Sequence, residues 1–325
     1  MNKIKQWFEQ NTHHHSEYKL IDALVEQKRE KNLSISLCFP TLNEENTIGK
    51  SIVLMKSELM DRFPLIDEIA VVDSGSEDKT LEIAREFGAD TYCASDYLPS
   101  EGNCRGKGEN LWKAVHLLKG DIIVYIDSDI SNIHHRFAYG LIGPLLQNDN
   151  IKFVKAFYER PYKEAAGLMP SGGGRVTEIL IRPLFSQFFP DLAGIIQPLS
   201  GEYAGRREIF EQIAFPIGYG VETAMLIDIY ENWGLDVIAQ TDLDQRIHRN
   251  QSVDSLRRMS FGIMQTFWKR LAKYREVADF PDASLNLREI LKSETGHDIA
   301  ERLIEEKERR PIIGVEEYRT HRSDS

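Results

Sequence analysis

Residues 121–129 read DIIVYIDSD, a strongly apolar run that stops on an acidic triplet. The run Ile122–Ile126 is expected to be a strand covered on both faces. Side chains alternate across a strand, so Asp127 and Asp129 leave the sheet pointing the same way. Upstream, similar runs recur as SISLCF (34–39), EIAVVD (68–73) and TYCA (91–94), separated by helical patterns that begin at Thr47, Asp78 and about Glu109. Such alternation predicts an α/β chain whose mostly parallel sheet is flanked by helices. Ligands of these sheets sit at the carboxyl ends of the strands. The loops there are PTLNEEN (40–46), DSGSED (73–78) and DSD (127–129).

Downstream, IKFVKAFYE (151–159) predicts a further strand, and then the composition changes. Between Met169 and Gly220 come PSGGGRVTE (170–178), PLSGEYAG (198–205) and FPIGYGVE (215–222), as expected of loops that wall a pocket. From Ser255 a helix is predicted, with Leu256, Met259, Ile263, Phe267 and Leu271 at helical spacing for core or partner packing. A second helical pattern runs from Arg288 to Arg310, and the last dozen residues, polar and charged, are expected to be loose. The chain thus divides into an N-terminal helical extension (1–33), an α/β part (34–160), a loop-rich part (161–254) and C-terminal helices with a tail (255–325).

The 325 residues carry 40 Lys and Arg against 51 Asp and Glu, a net charge of −11. That balance argues against nucleic acid or an anionic membrane as a partner held by general electrostatics. An anionic small substrate needs a local basic pocket inside the negative envelope. Cys38, Cys93 and Cys104 form no CxxC pair, which suits a reducing compartment without disulfides or a zinc cluster. No apolar run approaches the roughly 18 residues of a spanning helix, and MNKIKQWFEQ lacks a signal peptide's apolar stretch, so a cytoplasmic protein is expected. His13, His14 and His15 read as surface histidines ahead of a helix.

A parallel sheet with acidic loops suggests nucleotide binding, yet no GxGxxG follows the first strand and GNCRGKGEN (102–110) lacks P-loop spacing. Asn43, Glu44 and Glu45 offer acceptors for a base or ribose hydroxyls. Two carboxylates at a strand end can hold a divalent cation together with diphosphate oxygens. In GGGRV, glycines admit close backbone approach and Arg175 supplies a cationic fork. A helix beginning near Val176 turns free N–H groups toward a bound phosphate.

Taken in order, PTLNEE, DSGSED, GKGE (106–109) and DSD resemble the nucleotide-sugar half of a GT-A fold glycosyltransferase. GGGRVTE (172–178), PLSGEYAG, GYGVE (218–222) and HRN (248–250) resemble the glucosyl-3-phosphoglycerate synthase family. The resemblance runs from about Ser16 to about Arg275 and implies a Rossmann-like fold with a C-terminal acceptor-binding and helical extension. It implies a retaining transfer of glucose from UDP-glucose, or GDP-glucose, to the 2-hydroxyl of D-3-phosphoglycerate, in a homodimer. Pro40, Thr41, Leu42, Asn43 and Glu44 match the uridine loop; Ser74, Lys107, Asp127 and Ser128 match further donor-binding residues. Asp129 and His248 match the ligands of Mg2+ or Mn2+, whereas Gly173, Gly174, Arg175, Val176, Thr177 and Asn250 match the acceptor site. Arg246 and Lys107 are placed to neutralise the diphosphate, and Glu222 to orient sugar or acceptor. Double displacement and same-face attack both stay open. A GDP-mannose-dependent synthase and a non-catalytic sugar-nucleotide-binding protein are the alternatives.

Overall fold

The apolar runs assemble into one eight-stranded sheet. The computed structural model describes residues 2–164, 167–169, 174–247, 252–275, 283–293 and 296–323. Its strands are β1 (Thr12–His14), β2 (Ile35–Thr41), β3 (Glu68–Asp73), β4 (Asp90–Cys93), β5 (Ile122–Tyr125), β6 (Phe153–Glu159), β7 (Tyr162–Glu164), β8 (Gly167–Met169), β9 (Tyr203–Arg206), β10 (Phe215–Pro216), β11 (Ile238–Gln245), β12 (Asn286–Ser293), β13 (Gly296–Leu303) and β14 (Glu308–Arg309). The central order is β1-β11-β6-β9-β5-β2-β3-β4. Pairing is parallel except at β9, which runs antiparallel to both of its neighbours.

Strand alternation sorts the core into two layers. Leu37, Phe39, Val71, Ile122 and Val124 face the helices Ile21–Glu30, Ile48–Lys56 and Arg136–Gln147. Cys38, Ala70, Val72, Ile123 and Tyr125 face Lys107–Leu117, Val221–Trp233 and Val253–Tyr274. Because both faces are covered, each strand reads as an unbroken apolar run. Register brings Thr41 opposite Asp73 and Cys38 opposite Tyr125, so the loops after β2, β3 and β5 gather at one edge, as the sequence predicts.

Four elements depart from the sequence reading. PLSGEYAG, expected as a wall loop, contributes β9, inserted between β5 and β6. Its small residues hid the strand but make it possible: a Cβ at Gly205 would lie 2.8 Å from the Phe210 ring. At the N-terminus, β1 joins the sheet beside β11, and the adjoining histidines are not simply surface groups. Asp244, at a left-handed φ of 64°, meets His14 Nε2 at 3.2 Å and His15 Nε2 at 2.8 Å, with Arg136 Nε at 3.6 Å.

The third and fourth departures lie at the C-terminus. The segment predicted as a helix from Arg288 forms the antiparallel β12–β13 hairpin, with Asn286 opposite Leu303 and Ser293 opposite Gly296. Its residues favour helix intrinsically, but Gly296 at the turn and cross-strand pairs such as Arg288 with Glu301 (2.8 Å) override that preference. The tail is not loose: Glu316–Ser323 is a helix, and its Tyr318 is buried. Ile263, Phe267 and Leu271, considered for a partner surface, pack inside the chain, with Phe267 against Phe185, Phe188 and Phe189. No helix among the described residues is long and apolar enough to cross a membrane.

Candidate active site

The loops after β2 and β3 lock each other. Asp73, buried at the end of β3, accepts from Thr41 Oγ1 (2.8 Å), Gly75 N (2.8 Å) and Ser76 N (2.6 Å). Asn43 adopts a left-handed φ of 57°, donates its backbone N–H to Ser76 Oγ (2.7 Å) and accepts from Glu77 N (2.9 Å). Its side chain therefore braces the two loops, whereas Pro40, Thr41, Leu42 and Glu44 line the cavity beside them. Ser74 donates to Asn110 Oδ1 (2.8 Å), and Asn110 Nδ2 reaches Val72 O (2.9 Å). Asn110 is buried on the cavity wall, and no sequence signal marked it.

Two cations hold the carboxylates of the strand ends. Lys107, first residue of its helix, places Nζ 2.6 Å from Asp127 Oδ1 and 2.9 Å from Glu222 Oε1. Burial disfavours the charged lysine, but the carboxylates of Asp127 and Glu222 outweigh it and raise its pKa. Arg246, just past β11, lies 3.1 Å from Asp127 Oδ2, 2.7 Å from Asp129 Oδ1 and 3.3 Å from Glu202 Oε1. Burial alone would raise the Asp127 pKa; Lys107 and Arg246 reverse that and hold the carboxyl well below its usual range. Gly201 makes the approach possible, since a Cβ there would lie 1.9 Å from Asp127 Oδ2. Ser128 donates to Pro40 O (3.0 Å), tying the loop after β5 to the end of β2.

Beneath this layer lies a second one. Tyr158 donates to Glu202 Oε2 (2.5 Å) and accepts from Arg246 Nη1 (3.2 Å), so Glu202 and Tyr158 fix the guanidinium from behind. Lys155 donates to Ser200 O (2.6 Å) and lies over the Tyr203 ring. Burial pushes its pKa down to about 7, against the pull of Glu222. PLSGEYAG and IKFVKAFYE carry these residues in plain view, but their convergence depends on the unforeseen β9.

These layers border a cavity of about 580 Å³, which Gly174, Arg175, Val176 and Thr177 also line. Gly174 has a φ of 87°, and Thr177 is buried at the head of the helical turns that follow. Leu256 and Met259, expected for packing, and Arg105, Arg160 and Tyr219, not singled out from sequence, also border the space. Gly173, His248 and Asn250 lie outside the described residues. The chain leading to His248 is fastened beside the acidic loop: Ile247 N donates to Asn132 Oδ1 (2.8 Å), and Ser131 N to Ile247 O (3.0 Å). Asp129, its side chain 37% exposed, presents a hard oxygen donor to the cavity, a fit for Mg2+ or Mn2+.

Residues 36–213 match the model of Glycosyl transferase family 2. A glucosyl-3-phosphoglycerate synthase of Petrotoga mobilis is 53% identical over 310 residues, covering 94% of each chain. The chain belongs to the glucosyl-3-phosphoglycerate synthase family. The synthase of Mycobacterium tuberculosis is 42% identical over 261 residues, 79% of this chain and 78% of that one. Its crystal structure with Mn2+, UDP-glucose and phosphoglyceric acid superposes with a TM-score of 0.77 at 38% identity, covering 89% of this chain and 93% of that one. Mannosyl-3-phosphoglycerate synthase from Rubrobacter xylanophilus superposes with a TM-score of 0.88 at 35% identity, covering 96% and 98%. The GT-A-type sheet expected from sequence is therefore the fold of this glucosyl-3-phosphoglycerate synthase family member. The Family 2 match ends at residue 213, before Glu222, Arg246 and the whole C-terminal segment.

Proposed function

We propose that the chain transfers glucose from UDP-glucose to the 2-hydroxyl of D-3-phosphoglycerate with retention, releasing UDP. The observation that carries this reading is one cavity lined by Pro40, Thr41, Leu42, Glu44, Ser74, Lys107 and Asp127 together with Arg175 and its helical turn. The donor enters over the loops after β2 and β3, which receive uridine, while Asp127 and Ser128 face the ribose. Lys107 and Arg246 stand where negative charge grows on the departing diphosphate, already oriented by carboxylates. Asp129 with His248 would hold Mg2+ or Mn2+, which supplies further neutralisation of that charge when bound.

Arg175, the backbone of Gly173 and Gly174, the helix beginning at Val176 and Thr177, and Asn250 receive the phosphate and carboxylate of the acceptor. Holding both ends fixes the 2-hydroxyl relative to the sugar, and that orientation supplies much of the rate. Glu222, paired with Lys107 on the cavity wall, orients the sugar or acceptor. In this division residues 34–160 hold the donor and 161–254 the acceptor. Three cysteines without a disulfide suit a cytoplasmic setting.

The Rubrobacter structure favours a second reading, transfer of mannose from GDP-mannose to the same acceptor. The 53% identity to a glucosyl synthase favours glucose. Incubating the protein and 3-phosphoglycerate with UDP-glucose, GDP-glucose or GDP-mannose, then weighing and isotopically tracing the product, separates the readings. Glucosyl-3-phosphoglycerate from UDP-glucose is expected; product from GDP-mannose alone would replace this reading with the second.

A further inference from the structure

The segment from Ile304 to Arg310 runs behind both groups of the Lys107–Glu222 pair. Gln265, on the long helix Val253–Tyr274, grips it through Ile304 O (2.7 Å) and Glu306 N (2.9 Å), and β14 pairs antiparallel with β10. From this strap the buried Glu306 accepts from Gly218 N at 2.7 Å and also from the N–H of Gly220, the N-cap of the helix that carries Glu222. The niche is tight: a Cβ at Gly218 would lie 2.7 Å from the Glu306 carboxylate, and one at Gly262 2.9 Å from it.

In a capping box the third residue of the helix turns back to accept from the N-cap N–H. That residue is Thr223 here, and Glu306 supplies the acceptor from 83 positions downstream in the chain. Glu222, in the same first turn, extends to Lys107. Three residues after Glu306, Arg309 forms a two-point pair with Glu109, at 2.6 and 2.8 Å, and donates to Gly102 O (2.9 Å). Glu109 is fully buried two residues after Lys107 in the same helix. The two anchored elements meet directly, as Gly108 N donates to Ile217 O (2.8 Å).

We propose that the strap is a positioning element for the transfer reaction: Glu306 sets the Glu222 turn, Arg309 sets the Lys107 helix, and together they fix the distance between the two groups. The proposal rests on the transferase reading for its consequence but not for its geometry. Neither Glu306 nor Arg309 lines the cavity, so both act through the residues they hold.

The test compares the wild-type chain with Glu306→Ala, Glu306→Gln and Arg309→Lys. Four quantities are measured: kcat for UDP release, the Kd of UDP with Mn2+, the thermal melting temperature, and amide exchange in peptides spanning residues 215–225. A shift of about 1 Å in reacting groups costs roughly 100-fold in rate. Glu306→Ala is therefore expected to lower kcat about 10- to 100-fold while UDP affinity, set at Pro40–Glu44, stays near wild type. Glu306→Gln, which still accepts from one N–H but turns an NH2 group toward the other, falls between. Exchange at Gly218 and Gly220 should accelerate in both. Wild-type kcat in a folded Glu306 variant overturns the proposal. So does a loss in which kcat, UDP affinity and thermal stability decline together, the mark of a merely structural residue. Should Glu306→Ala not fold, Glu306→Gln and Arg309→Lys decide by the same criteria. A wild-type chain that makes no product would defeat the transferase reading instead. The exchange data would then still judge the strap, and unchanged protection at Gly218 and Gly220 would overturn it.

Discussion

Gly201 offers the sharpest test of how the cavity is built. A methyl group there would lie 1.9 Å from Asp127 Oδ2 and 2.7 Å from Oδ1. Ordinary carbon–oxygen contact needs about 3.3 Å, so the carboxylate must retreat by about 1.4 Å. That same carboxylate holds Lys107 at 2.6 Å and Arg246 at 3.1 Å, and neither contact survives such a shift unchanged. Misplacing reacting groups by about 1 Å costs roughly 100-fold, so Gly201→Ala is expected to lower kcat between about 30- and 300-fold. Overpacking should destabilise by about 1–3 kcal/mol, which leaves most domains folded.

Gly205→Ala is the matched control. It lies in β9, and its Cβ would strike the Phe210 ring at 2.8 Å, away from the cavity. Similar destabilisation with near-native kcat is expected. Steady-state UDP release and thermal denaturation of both variants give the answer. A folded Gly201→Ala variant with wild-type kcat would refute the reasoning, as would an equal kcat loss in Gly205→Ala.

Asp129→Asn should abolish most metal-dependent turnover while leaving the melting temperature within a few degrees; a titration of activity against free Mn2+ that matches wild type would remove Asp129 from the metal site. Arg175→Ala should raise the KM for 3-phosphoglycerate at least about tenfold, the scale of one lost charged hydrogen bond, with a much smaller effect on UDP-glucose. Equal effects on both substrates would exclude an acceptor role. Burial, with help from His135 and Arg136, pushes the His134 pKa down to about 4, so the folded chain keeps it neutral where the unfolded chain protonates near 6.5. The unfolded state then binds more protons between about pH 4 and 6.5, and stability falls as pH drops through that window. For this partly exposed group the loss should be about 1–2 kcal/mol after solvent screening, and His134→Gln should flatten the denaturation profile there.

The first half of the fold was legible because both faces of β2, β3 and β5 are buried, leaving Ile, Val and Leu runs that end on polar loops. What failed to show was pairing at long range. Tyr203–Arg206 is flanked by Gly201 and lies between two strands that precede it by dozens of residues, so nothing local marks it as sheet. The β12–β13 hairpin was misread because its residues favour helix, and cross-strand contacts decide otherwise. In the site, Asp127, Lys107 and Glu222 were found through motifs, and the structure brings them within ion-pair distance. Asn43 turned out to brace two loops, because a left-handed residue with an amide side chain satisfies backbone groups on its neighbour. Glu202 and Tyr158 were invisible as site residues, since they meet the chemistry through Arg246, which follows them by at least 44 positions.

The most direct measurement of the central claim is the initial rate of UDP release from UDP-glucose, with saturating Mg2+ or Mn2+, in the presence and absence of 3-phosphoglycerate. One cavity holding both substrates predicts release that depends strictly on the acceptor, in step with formation of glucosyl-3-phosphoglycerate. Release at the same rate without 3-phosphoglycerate, or none in its presence, would contradict the account.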